Sequence, residues 1–356
     1  MKNMFFFFII IILLIYLALL YIIWNICKIR NKTFKKETAL LPLIPTGILL
    51  FFFLLFYFIS NWTYSIIYFI IMSLFAFLVY TVIFCAIHQV ISYFTSKLKP
   101  LFRYGIIFVL PFSLWLFGMV WARIIHYDEI TLKYKGFQGS FKIAHLSDIH
   151  LGVIYKSGFV ASIVEDLNKI NPDIVVITGD LMDGSIAIEN WLEPFSKSKA
   201  PIYFITGNHE SYYGKEDALT KIKNSSLIYI GNDVIDIGKV NLIGVDYEYL
   251  NITERLENIK HLFINSQKPN ILLYHKPLLK PKELTPYNIF LFLAGHTHGG
   301  QMFPMQMITY FECKCFSGLY SYANSHVYVS TGIGTALCPL RVASSSVIGV
   351  INIVGE

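Results

Sequence analysis

Four long stretches without a single Asp, Glu, Lys or Arg fill the first third of this chain: Met4 to Cys27, Leu41 to Ser60, Ser65 to Val90 and Gly105 to Ala122. A helix needs roughly 20 apolar residues to cross a hydrocarbon core, so each stretch reads as a membrane span. The first is too long for a signal peptide and lacks a small-residue cleavage site, which makes it an expected uncleaved anchor. Pro42 and Pro45 open the second stretch, where a missing backbone donor costs little. Pro111 sits inside the fourth as a kink that membrane helices tolerate. His88 and Gln89, near the end of the third, are expected to reach the interface or bond another helix.

The apolar excess behind the overall 55% hydrophobic content ends near Trp121. We therefore expect a membrane region over residues 1–122 and a globular domain over 123–356. The charge divides at the same place. Residues 1–103 hold nine Lys/Arg against one acid, Glu37, for +8, and the remaining 20 Lys/Arg against 22 Asp/Glu leave −2. The globular part is therefore not basic, and no nucleic-acid partner is expected. Eight of the nine Lys/Arg lie in two loops, Lys28, Arg30, Lys32, Lys35 and Lys36 in one and Lys97, Lys99 and Arg103 in the other, while residues 61–64 carry none and Lys2 is the only opposing signal. Basic loops face the cytoplasm, which predicts a multi-pass cell-membrane protein with its globular domain on the non-cytoplasmic side.

From Phe141 onward short apolar runs alternate with helical patterns, which is an α/β alternation. The runs are Phe141–Leu146, Ile174–Thr178, Ile202–Thr206, Ile271–Tyr274, Ile289–Ala294, Val327–Ser330 and Val347–Val354. Phe159, Val160, Ile163, Val164, Leu167 and Ile170 fall at helical spacing, and Asn171-Pro172 stops that helix. Five runs end in chemistry. Ser147-Asp148-Ile149-His150 follows the first, Gly179-Asp180 the second and Gly207-Asn208-His209-Glu210 the third. His275 follows the fourth, and Gly295-His296-Thr297-His298-Gly299-Gly300-Gln301 the fifth. Ligands collect at the carboxyl ends of strands in such sheets. An oxygen and imidazole donor set with no thiolate suits divalent Mn, Fe or Zn, and Mg less well. Cys27, Cys85, Cys313, Cys315 and Cys338 are too irregularly spaced for a disulfide framework.

The ordered set Asp-x-His, Gly-Asp, Gly-Asn-His-Glu, His and Gly-His-x-His resembles the calcineurin-like metallophosphoesterase superfamily. Gly-His-Thr-His-Gly-Gly-Gln and Ser330-Thr331-Gly332-Ile333-Gly334-Thr335 resemble its bacterial membrane-associated branch. The resemblance implies an α/β domain built as a β-sandwich flanked by helices, and a phosphoester hydrolase with two divalent metal ions. By that resemblance Asp148, His150 and His298 hold one ion, Asn208, His275 and His296 the other, and Asp180 bridges both. Two ions so placed activate a bridging water for in-line attack on phosphorus. His209 corresponds to the family's non-ligand histidine, which stabilises developing charge or protonates the leaving group. Asp183 corresponds to the acid that orients it. The protein phosphatases of the superfamily carry an arginine directly after that acid, where this chain has Gly184, so a phosphoprotein substrate is disfavoured. Arg341 is a candidate replacement phosphate contact and, equally, a structural arginine.

Singly each cluster is weak, and His145, His261 and His326 read as packing or surface histidines. Asp246 reads as either a cleft residue or a turn. The expected substrate is a phosphate mono- or diester, with phospholipid and lipid-linked esters in range because the site is tethered at a bilayer. The alternative is a non-catalytic membrane sensor or assembly factor that keeps the fold.

Overall fold

A computed structural model describes the chain except for residues 1, 31–32, 36–37, 39, 48–60, 96–97, 184–188, 213, 248–251 and 265. It divides into two units, Met1–Val120 with Leu337–Leu340, and Trp121–Ala336 with Arg341–Glu356.

The first unit is helical. Tyr68–Phe94, within the helix Asn61–Phe94, and Pro100–Trp121 are long and apolar enough to cross a membrane. The helix Lys2–Ile29 covers the first expected span, and its Leu13–Ile29 portion forms a shorter apolar helix. Most of the expected span Leu41–Ser60 lies outside the described residues, as do Lys32, Lys36 and Lys97 of the basic loops. Several polar side chains in this unit find partners on other helices or on their own. Gln89 Nε2 donates to Asn25 Oδ1 at 3.2 Å, Trp115 Nε1 to Ser73 O at 2.9 Å, and His88 pairs with Ser92. Immediately before Pro111 the chain winds as a π-helix over Gly105–Val109, a local adjustment of the kind that accommodates a proline lacking its N–H.

The second unit is a sandwich of two mixed sheets. In the first, β1 (Ile125–Tyr134), β12 (Ser346–Gly355), β2 (Ser140–Leu146), β3 (Ile174–Thr178), β4 (Ile202–Ile205) and β5 (Ile228–Tyr229) lie in that spatial order. In the second the order is β10 (Gly318–Tyr322), β11 (Ser325–Val329), β9 (Leu291–Ala294), β8 (Asn270–Tyr274), β7 (Asn241–Val245) and β6 (Val234–Asp236). From β2 to β5, and from β11 to β7, all neighbours are parallel.

Side-chain alternation explains why the central strands read as unbroken apolar runs. In β2, Phe141 and Ile143 face the other sheet while Ala144 and Leu146 pack under helices. In β8, Ile271 and Leu273 face the first sheet while Leu272 and Tyr274 meet the outer helical layer. A strand covered on both faces has no polar side to show. The helix Ser157–Ile170 covers the first sheet through Val160, Ile163, Val164 and Leu167. It ends where Asn171 turns left-handed at φ 50° and returns its N–H to Leu167 O, just before Pro172.

Candidate metal centre

The parallel strands β2, β3 and β4 of one sheet and β8 and β9 of the other each pass from an apolar interior into a polar loop that supplies the site. All nine expected site residues come together in one chain of contacts. Asp148 Oδ1 lies 3.4 Å from His298 Nε2, which lies 3.0 Å from His150 Nε2. His150 Nδ1 meets Asp183 Oδ1 at 2.7 Å, and His209 Nδ1 meets the same oxygen at 2.6 Å. His209 Nε2 stands 3.9 Å from Asp180 Oδ2, and that oxygen is 3.1 Å from His275 Nε2. His275 Nε2 completes the set at 3.1 Å from Asn208 Oδ1 and 3.2 Å from His296 Nδ1. Asp148, His150, Asp180, Asn208, His275 and His298 are all buried.

The loops hold these side chains in unusual backbone. Asp148, His150, Asp180, His296 and His298 all have positive φ, between 50° and 71°, a region that residues with a Cβ rarely enter. Such conformations cluster at functional sites because the surroundings over-determine them. Two glycines allow the close approach. A Cβ on Gly207 would run into the Asp180 carboxylate, and one on Gly332 would meet Asp148 Cβ at 2.8 Å. Gly332 belongs to the Ser330–Thr335 loop, whose Ile333 and Gly334 N–H groups donate to Ser147 O and Asp148 O at 3.0 and 2.9 Å.

The donor arrangement fits cations. His275 Nδ1 faces Thr178 O at 2.8 Å, and a carbonyl only accepts, so Nδ1 carries a hydrogen. In the neutral ring Nε2 is then a bare lone pair, yet it faces the Asp180 carboxylate and the Asn208 side-chain oxygen. Only a proton or a metal ion satisfies that geometry. Burial alone would lower His275, but Asp180 and Asp148 outweigh it and push it up to about 9. His150 behaves alike: burial opposes its charge, and Asp183, Asp180 and Asp148 raise it to about 9. Burial also works against a charged Asp180, but His275, His209 and His150 hold it well below the usual carboxylate range. Three groups could each hold a metal ion, their donor atoms lying within 4.8 Å of one another: Asp148, His150 and His298; Asp180, His275 and His296; and His150, Asp180 and His209.

Two supporting contacts were not anticipated from the sequence. Asp183 reaches His150 as well as His209, although nothing in the linear spacing ties it to His150. Glu210, the last residue of Gly-Asn-His-Glu, is buried and accepts from Asp180 N and Met182 N at 3.0 Å each and Gly207 N at 2.6 Å. It ties the β3 and β4 loops together.

Arg341 resolves towards the structural alternative. It is fully buried and donates to His298 O, Ser344 Oγ, Thr331 O, Gly332 O and Gly334 O, so its guanidinium braces loops behind the site. Asp246 is no turn residue: it is buried, accepts from Thr206 N and Tyr229 Oη, and pairs with Lys215 at 2.9 Å. His145 bonds Thr178 Oγ1 at 2.8 Å as a packing histidine. Gly184 lies outside the described residues.

Residues 141–300 match the family Calcineurin-like phosphoesterase. An uncharacterized metallophosphoesterase of Aquifex aeolicus is 30% identical over 227 residues, which span 60% of this chain and 85% of that protein. This chain belongs to the calcineurin-like metallophosphoesterases. A metallophosphoesterase of Helicobacter pylori (strain ATCC 700392 / 26695) is 34% identical over 221 residues, 60% of this chain and 59% of its own length. The Bos taurus "Transmembrane protein with metallophosphoesterase domain" is 34% identical over 226 residues, 58% of this chain and 51% of its own length. This metallophosphoesterase thus spans between half and three fifths of the Bos taurus and Helicobacter relatives.

Proposed function

We propose that this chain is a membrane-associated phosphoesterase that hydrolyses phosphate mono- or diesters with two divalent ions. Asp148, His150 and His298 would hold one ion, Asn208, His275 and His296 the other, with Asp180 between them. The reading is carried by the convergence of these seven donors from five strand ends, with His275 Nε2 facing only oxygen and nitrogen ligand atoms. When bound, such a pair of ions supplies Lewis acidity to the phosphoryl oxygens and an activated water.

The remaining work belongs to side chains. Asp183 Oδ1 stands 2.6 Å from His209 Nδ1, a contact that holds the ring with Nε2 on the side of Asp180. His209 Nε2 then donates its proton to the leaving oxygen, or steadies charge developing there. By its second contact Asp183 also holds His150 with Nε2 turned inward, the carboxylate–histidine arrangement that orients metal ligands. Glu210 fixes the peptide planes that carry Asp180 and Met182.

Lipid-like phosphoesters suit a site carried on a chain with two candidate spans. Gly184 in place of the arginine of protein phosphatases speaks against phosphoproteins. The basic loops support a catalytic unit outside the cytoplasm, which fusions after residue 130 test: alkaline phosphatase active there agrees, a bright cytoplasmic fluorescent reporter contradicts. For the activity itself, the purified chain is assayed with Mn on an aryl phosphate, a bis-aryl phosphodiester and a phosphopeptide. Hydrolysis of either aryl ester, faster than the phosphopeptide and lost on chelation, is expected. No turnover of any ester by metal-loaded protein would favour a non-catalytic role.

A further inference from the structure

The helix Met305–Glu312 starts a few residues after the Gly295–Gln301 loop that carries His296 and His298. Its sequence is Met-Gln-Met-Ile-Thr-Tyr-Phe-Glu, and not one of its residues is buried. Phe311 is 82% exposed, Tyr310 63% and Met307 57%, with Met305, Ile308 and the preceding Phe303 also open. Scattered apolar residues on a surface are ordinary, but a contiguous apolar helix without cover marks an interaction site. No charged residue occurs between His298 and Glu312. The helix is nonetheless firmly placed, because Gln306 Nε2 donates to Gly299 O at 3.2 Å and Ala343 O at 2.6 Å.

We propose that this helix is an interfacial element that seats in the headgroup and upper acyl layer of a bilayer, so that a lipid-borne phosphoester meets the metal centre without leaving the membrane. The inference rests on the membrane association proposed above. Two observations favour a bilayer as the occupant. The candidate span Pro100–Trp121 is followed after only residues 122–124 by β1, so a link of at most about 14 Å joins the unit to an apolar helix. The exposed set is rich in Phe, Tyr, Met and Ile, aromatic and flexible side chains of the type that enter the interfacial layer. Gln306 links that layer to Gly299, the residue after His298, which makes the helix a ramp to the site.

The test uses the full chain reconstituted in phosphatidylcholine vesicles. A Phe311→Trp variant in vesicles of acyl-brominated phosphatidylcholine is compared with the unsubstituted chain, whose own tryptophans set the background. Added fluorescence that is blue-shifted and quenched by the brominated lipid is expected. Added fluorescence that is water-like and unquenched overturns the proposal. Emission that is blue-shifted but unquenched also overturns it, in favour of cover by a second copy of the chain. Separately, Ile308→Asp with Phe311→Asp should lower hydrolysis of a diacylglycerol-linked fluorogenic phosphodiester in vesicles about tenfold or more. The same variant should leave a soluble aryl phosphodiester unchanged, which also reports that the unit is folded. Equal activity on both substrates would sink the proposal. Release of the unsubstituted chain from vesicles by alkaline carbonate would instead defeat membrane association itself, whereas a retained chain with unquenched Trp defeats only the role of the helix.

Discussion

The interior of the sandwich and the ends of its strands obey opposite rules. Ile143, Val176, Ile271, Leu273 and Leu291 sit fully buried between the sheets in regular extended backbone, with no polar group to satisfy. A few residues further along the same strands, Asp148, Asp180 and His296 are held at positive φ in a cluster of carboxylates and imidazoles. The contrast teaches where each kind of stability comes from. Apolar packing makes the frame stiff enough to hold the ends in backbone they would not choose alone. The ends add chemistry at a cost, because buried charge is tolerated only with a counter-charge in place. Substitutions should therefore separate cleanly, with loss of function at the ends and loss of stability in the interior.

The largest effect is expected at Asp180. Replacing it by Asn removes the negative charge shared by His275 and His209, and hydrolysis should fall below detection while the unit stays folded by circular dichroism. Near-normal turnover in Asp180→Asn would erase the distinction drawn here. Next comes His209→Ala, which should slow kcat by about a hundredfold or more while both ions remain bound. Loss of metal from that variant would make His209 a ligand, as its grouping with His150 and Asp180 geometrically permits.

Asp183→Asn is expected to act on both sides of the site at once, because one oxygen serves His150 and His209. Metal affinity should drop about tenfold, together with a loss of turnover at saturating metal. A change in one readout alone would show that only one of the two contacts matters in solution. The smallest effect on chemistry is expected from Leu273→Ala, in the interior. It should cost about 3 kcal/mol of stability, seen as a lower denaturation midpoint, with activity per folded molecule unchanged.

The same contrast explains what could be read from the chain alone. Strands β2, β3, β8, β9 and β12 were legible because burial on both faces turns them into plain apolar runs, and the glycines and histidines after them mark where the runs stop. The helix Ser157–Ile170 was legible from its buried spacing and its Asn171-Pro172 stop. β1 was not, since among the described residues it lies at the edge of its sheet beside β12, and it mixes Asp128, Glu129 and Lys133 into an extended segment. β10 was hidden for a similar reason, being an edge strand with mostly open side chains. In the site, the candidate donors were visible because each follows a strand. The bracing by Glu210 and the double duty of Asp183 were not, because both depend on loops from different strands meeting in space. Arg341 could be read either way until its acceptors were seen to be backbone carbonyls and Ser344.

The central claim is that these strand ends form a two-ion site with Asp180 between the ions. Metal stoichiometry on the purified, Mn-loaded chain and on Asp180→Asn tests it most directly, by elemental analysis after removal of loose metal and with hydrolysis of a bis-aryl phosphodiester measured on the same samples. The account predicts two ions per unsubstituted chain, and fewer than two with no hydrolysis in Asp180→Asn. Full hydrolysis by unsubstituted chains that carry one ion or none would contradict it.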